Sequence, residues 1–128
     1  MRFMIDTHVF LWFIAGDTRL SQPVRAAIEA EENEVLMSIA SVWEIAIKIR
    51  IGKLALSQPF ADLIPAQIAE NEIELMPVSM DELKVVAMLP LHHRDPFDRL
   101  LIAQAMVQRI TLVGDDPYFA QYGVPLFW

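Results

Sequence analysis

Apolar positions along this chain fall into two kinds of run that alternate. RFMI (Arg2–Ile5), EVLM (34–37), IELM (73–76) and ITLV (110–113) are short and nearly continuous, which predicts buried strands. PLFW at the end of the chain is a candidate fifth strand. Between them lie longer runs with helical spacing. THVFLWFIAG follows the first strand and stops at Gly16. VRAAIEAEE is opened by Ser21 and Pro23 and carries its charges on one side. SIASVWEIAIKIRIGK starts near Ser38 and ends around Lys48, Arg50 and Lys53, with Gly52 as the stop. A run from Gln58 to Asn71 is opened by Pro59, and Pro65 is expected to kink or divide it. Ser79 and Glu82 form a capping box for the next helix, which Pro90 ends. Asp95 and Pro96 then open RLLIAQAMVQR. Strands separated by helices predict one α/β domain over residues 1–128, a mainly parallel sheet with helices on both faces.

Composition narrows the class. With 128 residues, 55% hydrophobic and 21% charged, the chain is too apolar for disorder and long enough for one core. Its longest apolar runs, such as VFLWFIA, fall short of the roughly 20 residues that cross a bilayer, and no basic segment with a cleavage site opens the chain. A cytoplasmic protein without membrane contact is the expectation. The absence of cysteine removes disulfides, thiolate zinc sites and thiol nucleophiles, and fits a reducing compartment. A net charge of −7 counts against general nucleic-acid binding through a basic face. It does not count against a nuclease whose positive charge is supplied by metal ions. So apolar a composition leaves apolar surface exposed, which predicts a partner or self-association.

The acids give the chemistry its first foothold. Asp6 follows the first strand, Glu44 lies in the opening turns of the helix after the second, and Asp115 and Asp116 follow ITLV. Asp95 and Asp98 stand at the head of the last long helix. In a parallel sheet all of these project from the carboxyl edge, where ligands bind in open α/β folds. Each also has a structural explanation. Asp95 is a good N-cap with Pro96 at N1 and Asp98 at N3; Asp6 can cap the helix begun by Thr7, and Asp115 or Asp116 the turn begun by Pro117. Ser41 to Glu44 matches a capping box, but a start near Ser38 leaves Glu44 deeper and facing inward beside Trp43 and Ile45.

Their convergence favours function. Two carboxylates about 5 Å apart repel by about 3 kcal/mol at an effective dielectric of 20, so several in one cleft call for protons or cations. An all-oxygen donor set without cysteine favours Mg2+ or Mn2+ over zinc, and two such ions suit phosphoryl transfer. The histidines are weaker candidates. His92 and His93 are adjacent, so their side chains diverge, and no HExxH spacing accompanies them; a peripheral role is expected, with substrate contact or proton transfer as the alternative. His8 lies one turn from the acids as a candidate for contact with the metal's ligands. Trp12, Trp43, Phe10 and Phe13 sit in helical apolar runs and read as core or dimer face rather than a base-stacking platform.

With MIDTHVFLW at the start, SVWEIAIK in the third helix, HRDPFDRLLIAQA and then LVGDDPYFAQYGV, the chain resembles PIN-domain proteins of the VapC toxin type from end to end. The resemblance implies a three-layer α/β/α sandwich and a Mg2+- or Mn2+-dependent endoribonuclease site. It assigns the acidic roles to Asp6, Glu44, Asp98 and Asp116, with Asp95 starting the helix and supporting the site. Many relatives carry Thr or Ser where this chain has Gly114, and Asp115 adds a second acid, so which of the two aspartates faces the metal stays open. The resemblance also implies a homodimer, an RNA substrate that in relatives is often tRNA, and a cognate antitoxin through which alone the protein meets DNA.

Two readings from other classes remain. A non-catalytic interaction module on the same fold is disfavoured by the presence of all four acids. An aspartate-based phosphotransfer domain is disfavoured because His8 stands where a phosphatase needs its second aspartate, and ITLVGDD offers no lysine.

Overall fold

The computed structural model describes residues Met1–Trp128. Five strands, β1 (Arg2–Ile5), β2 (Glu34–Ser38), β3 (Glu74–Met76), β4 (Thr111–Val113) and β5 (Leu126–Phe127), form one sheet in the order β3-β2-β1-β4-β5. Every neighbouring pair is parallel. Six helices connect them: α1 (Thr7–Ala15), α2 (Gln22–Glu29), α3 (Ile39–Arg50), α4 (Phe60–Glu70), α5 (Met80–Met88) and α6 (Pro96–Gln108).

The central strand explains the layering. Successive side chains of β1 point to opposite faces. Phe3 and Ile5 join Val9, Phe10, Val24, Ile28, Ile45 and Ile64 from α1 to α4 on one side. Met4 joins Leu36, Leu112 and the α6 residues Leu101, Ile102 and Ala105 on the other. Phe3, Met4 and Ile5 are wholly buried, each worth about 1.5–3 kcal/mol of burial, so the first strand is apolar from Phe3 onward, and only Arg2 at its start is exposed. The result is the expected three-layer sandwich. None of its helices is long and apolar enough to cross a membrane.

Local signals set most element ends. Ser21 and Ser38 cap α2 and α3, and the Ser79–Glu82 capping box is formed in both directions. Gly16 ends α1 in the left-handed conformation at φ 64°. Two expectations need correction. The second helix ends at Glu29, because Glu31 and Glu32 lie in an exposed turn with no apolar face to bury. Pro65 does not divide α4: the helix runs unbroken from Phe60 to Glu70, with Pro65 on its exposed side. Of the aromatics expected in the core or on a dimer face, Phe10 is wholly buried, and Trp43 is 62% exposed and packs edge-on against Phe97 of α6, ring centroids 5.3 Å apart.

β1 leads by crossover to β2 and β3 on one side, and the chain then returns to place β4 on the other. The strand order therefore reverses at β1 and β4. That is where an open parallel sheet leaves a crevice at its carboxyl edge.

Candidate metal centre

Asp6 leaves β1 at this crevice. Its backbone N–H continues the ladder to Val113 O at 3.0 Å, and its Oδ1 accepts the Val9 N–H at 2.8 Å as the N-cap of α1. One oxygen thus starts a helix while Oδ2 remains without a donor. Burial pushes the carboxyl up from 3.8 to about 7; the Val9 bond opposes this, and the charges of Asp98, Asp115 and Glu44 add to it. Capping and site geometry are served by the same residue.

Glu44 is buried at 4% exposure because the start at Ser38 turns it inward on α3. Its Oε1 accepts the Thr7 hydroxyl at 2.7 Å, and its Oε2 pairs with Lys48 Nζ at 2.7 Å one turn along. Neither partner was singled out by sequence. Lys48 reads as a helix-end charge until the fold places it beside a buried acid, and Thr7 is 37 residues away.

Asp95 caps α6, accepting the N–H groups of Phe97 at 2.9 Å and Asp98 at 3.0 Å. Asp98 follows in the first turn with its side chain turned to the crevice. Its carboxyl is also raised from 3.8 to about 7, by burial first, then by Asp95, and further by Asp116 and Glu44 against the opposing influence of His93. Beyond β4, Asp116 Oδ1 accepts the Tyr118 N–H at 2.8 Å, which steadies the turn into the 3-10 segment Phe119–Tyr122. The remaining oxygen, Oδ2, lies 3.0 Å from His93 Nε2. Asp98 Oδ2 lies 3.0 Å from the same nitrogen, so single atoms of His93, Asp98 and Asp116 fall within 4.8 Å of one another.

Of the two adjacent acids left open by sequence, Asp116 therefore shares this cluster with Asp98. Asp115 is exposed, yet its charge is felt at Asp6. His92 and His93 do diverge. His92 packs edge-on against Tyr122, ring centroids 5.1 Å apart, and His93 turns into the cluster, far more central than its sequence context suggested. His8 is exposed, stacks on Trp12 at 5.8 Å, and makes no hydrogen bond to any acid.

Gly114 has a reason the sequence did not reveal. A Cβ there would overlap Asp6 Oδ2 and come within 2.9 Å of Phe119 Cε2. The space that a serine or threonine side chain would take is filled by Asp6 itself.

These donors fit a hard divalent cation. Carboxylates from β1, α3, α6 and the β4 exit lie in one neighbourhood, two of them raised to about 7 by burial and then by neighbouring charge, and Asp6 Oδ2 has no donor of its own.

The model of the PIN domain family matches residues 3–125, and the chain belongs to that family. Ribonuclease VapC16 of Mycobacterium tuberculosis is 39% identical over 57 residues, a match covering 44% of this chain and 39% of that protein. Among solved structures, VapBC2 of Rickettsia felis bound to a DNA fragment from its promoter superposes with a TM-score of 0.74 at 14% identity, over 99% of this chain and 98% of that one. VapBC-1 of nontypeable Haemophilus influenzae gives 0.68 at 15% identity, over 99% and 97%. At such identities the two structures speak for the fold.

Proposed function

We propose that this protein is a Mg2+- or Mn2+-dependent endoribonuclease, the toxin of a toxin–antitoxin pair. The observation that supports the reading is that Asp6 at the carboxyl edge feels the charges of Glu44 and Asp98, that Asp98 feels those of Glu44 and Asp116, and that Asp6 and Asp98 are both pushed up to about 7. The name of the ribonuclease it resembles supports the same chemistry.

Asp6, Asp98 and Asp116 would hold the ion, with Glu44 beside them to complete the set. A bound divalent ion supplies positive charge to the scissile phosphate and a water of lowered pKa. The chain's own contribution is orientation. The Val9 N–H fixes the Asp6 carboxylate so that Oδ2 is the free atom. Thr7 and Lys48 fix Glu44 from both sides. The rigid start of α6 sets Asp98, because Asp95 holds the first turn.

The surface has room for both expected partners. A groove of about 590 Å3 lined by Leu11, Trp12, Leu54, Leu56, Lys48 and Lys53 fits an amphipathic segment of the antitoxin, and Lys48 links that groove to Glu44. Met80, Leu83, Met88 and Leu91 leave an apolar face along α5 and its exit for the homodimer.

The test is cleavage of total RNA by purified protein with Mg2+ or Mn2+ and with EDTA. Cleavage should require the metal and stop reversibly on chelation, with the protein still folded. Cleavage that persists in EDTA overturns the mechanism.

A further inference from the structure

His93 Nε2 sits 3.0 Å from both Asp98 Oδ2 and Asp116 Oδ2, which by distance alone makes it a third ligand. The other ring nitrogen argues otherwise. His93 Nδ1 receives the backbone N–H of Asp95 at 3.1 Å. A peptide N–H can only donate, so Nδ1 must present its lone pair. A neutral imidazole with a free lone pair on Nδ1 carries its proton on Nε2. The nitrogen between the two carboxylates is therefore an N–H donor, with no lone pair to give a metal.

The ring has little freedom to exchange these roles. The backbone N–H of His93 donates to Tyr122 Oη at 2.8 Å, and that hydroxyl donates to Pro90 O at 2.8 Å. The Arg99 guanidinium binds the carbonyls of Pro90 at 2.9 Å, Val86 at 3.0 Å and Leu89 at 3.2 Å, fixing the segment that leads to His93. Tyr118 covers the ring at 5.0 Å. Turning the ring over would set a protonated Nδ1 against the Asp95 N–H or leave that donor unmet.

We propose that His93 is a positioning residue rather than a metal ligand: its Nε2–H, fixed by the Asp95 backbone, clamps the Asp98 and Asp116 carboxylates together from the side. The proposal deepens the metal reading above and rests on it for its purpose. With the imidazole excluded, the donor set is all oxygen. Such a set accepts Mg2+ without the bias toward softer ions that a nitrogen ligand introduces.

Two measurements decide it. Two-bond proton–nitrogen correlation spectra of histidine-labelled protein, with His93 assigned by its loss in His93→Ala, report the tautomer directly. The Nε2–H form is expected in metal-free protein and again with Mg2+; an Nδ1–H or doubly protonated ring in either state overturns the clamp. Calorimetric titration of metal-free protein with Mg2+ and with Mn2+ then separates a clamp from a ligand. His93→Ala should weaken both ions by the same factor, about tenfold, and His93→Gln, which keeps an N–H donor, should recover most of it. A loss confined to Mn2+, or no loss with either ion, overturns the proposal, and melting curves establish that both variants fold. If the wild-type protein binds neither ion, the metal reading fails, and the metal-free tautomer still decides whether the clamp exists.

Discussion

Two clusters of buried acid lie in this molecule, and they are built on opposite principles. Glu82, between α5 and α6, is wholly buried, and every donor around it is neutral. Its Oε1 accepts the Ser79 N–H at 2.8 Å and the Gln104 amide at 3.2 Å, and its Oε2 accepts the Gln108 amide at 3.1 Å. No second carboxylate joins these bonds. At the carboxyl edge of the sheet, Asp6 instead feels the charges of Asp98, Asp115 and Glu44, and Asp98 those of Asp95, Asp116 and Glu44. Burial of an acid is thus no mark of function. Glu82 ties two helices together, whereas at the cleft burial first, and then neighbouring charge, raise the proton affinity of Asp6 and Asp98, an arrangement that disfavours their ionised form.

The sharpest way to test the contrast is substitution in each cluster. Asp6→Asn and Asp98→Asn should each reduce RNA cleavage by at least about a hundredfold while leaving the metal-free protein folded and no less stable. Glu82→Ala should do the reverse. It strands Ser79, Gln104 and Gln108 and should cost about 2–3 kcal/mol in denaturant melts, with cleavage close to wild type at temperatures where the protein is folded. If Asp98→Asn unfolds the protein and Glu82→Ala abolishes cleavage, the division between the two clusters is wrong.

A pH series of metal-free protein probes the same difference with no loss of side chains. Asp6 and Asp98 are raised from 3.8 to about 7 in the folded state. Between those values the folded protein holds protons that the unfolded chain has released. Their contribution to stability is therefore present below about pH 4 and is lost as pH rises through about 7, on the order of a few kcal/mol for the pair. Melting temperature should fall over this window, and either Asp→Asn variant should flatten the fall. A flat profile in the wild-type protein would remove the crowding that sets this cluster apart.

The smallest effect is expected at Gly114. Gly114→Ala puts a methyl where Asp6 Oδ2 lies and should cost about 1–3 kcal/mol, with a larger proportional loss of metal affinity because Asp6 must move. An alanine variant with unchanged metal affinity would mean that the position of Asp6 is not critical.

Much of this was written locally. The strands, the Ser79–Glu82 box, the Asp95 cap and the Gly16 stop are decided by residues within a few positions of one another, and they appear where local pattern puts them. The edge on which the acids gather was also legible, since parallel strands joined by helices send every βα turn the same way. Pro65 and the end of α2 depart from the local pattern because packing decides whether a marginal turn stays helical.

The amino-acid order by itself determined the elements, the layering and which acids leave the sheet at its carboxyl edge, because these depend on periodicity and on caps within one turn. Only the tertiary structure decided the partners of each acid. Thr7 and Lys48 on Glu44, His93 between Asp98 and Asp116, Asp6 filling the space above Gly114, and the two glutamines on Glu82 are contacts of specific atoms. Most of them join residues far apart in the chain, and no local pattern encodes a distance across a fold.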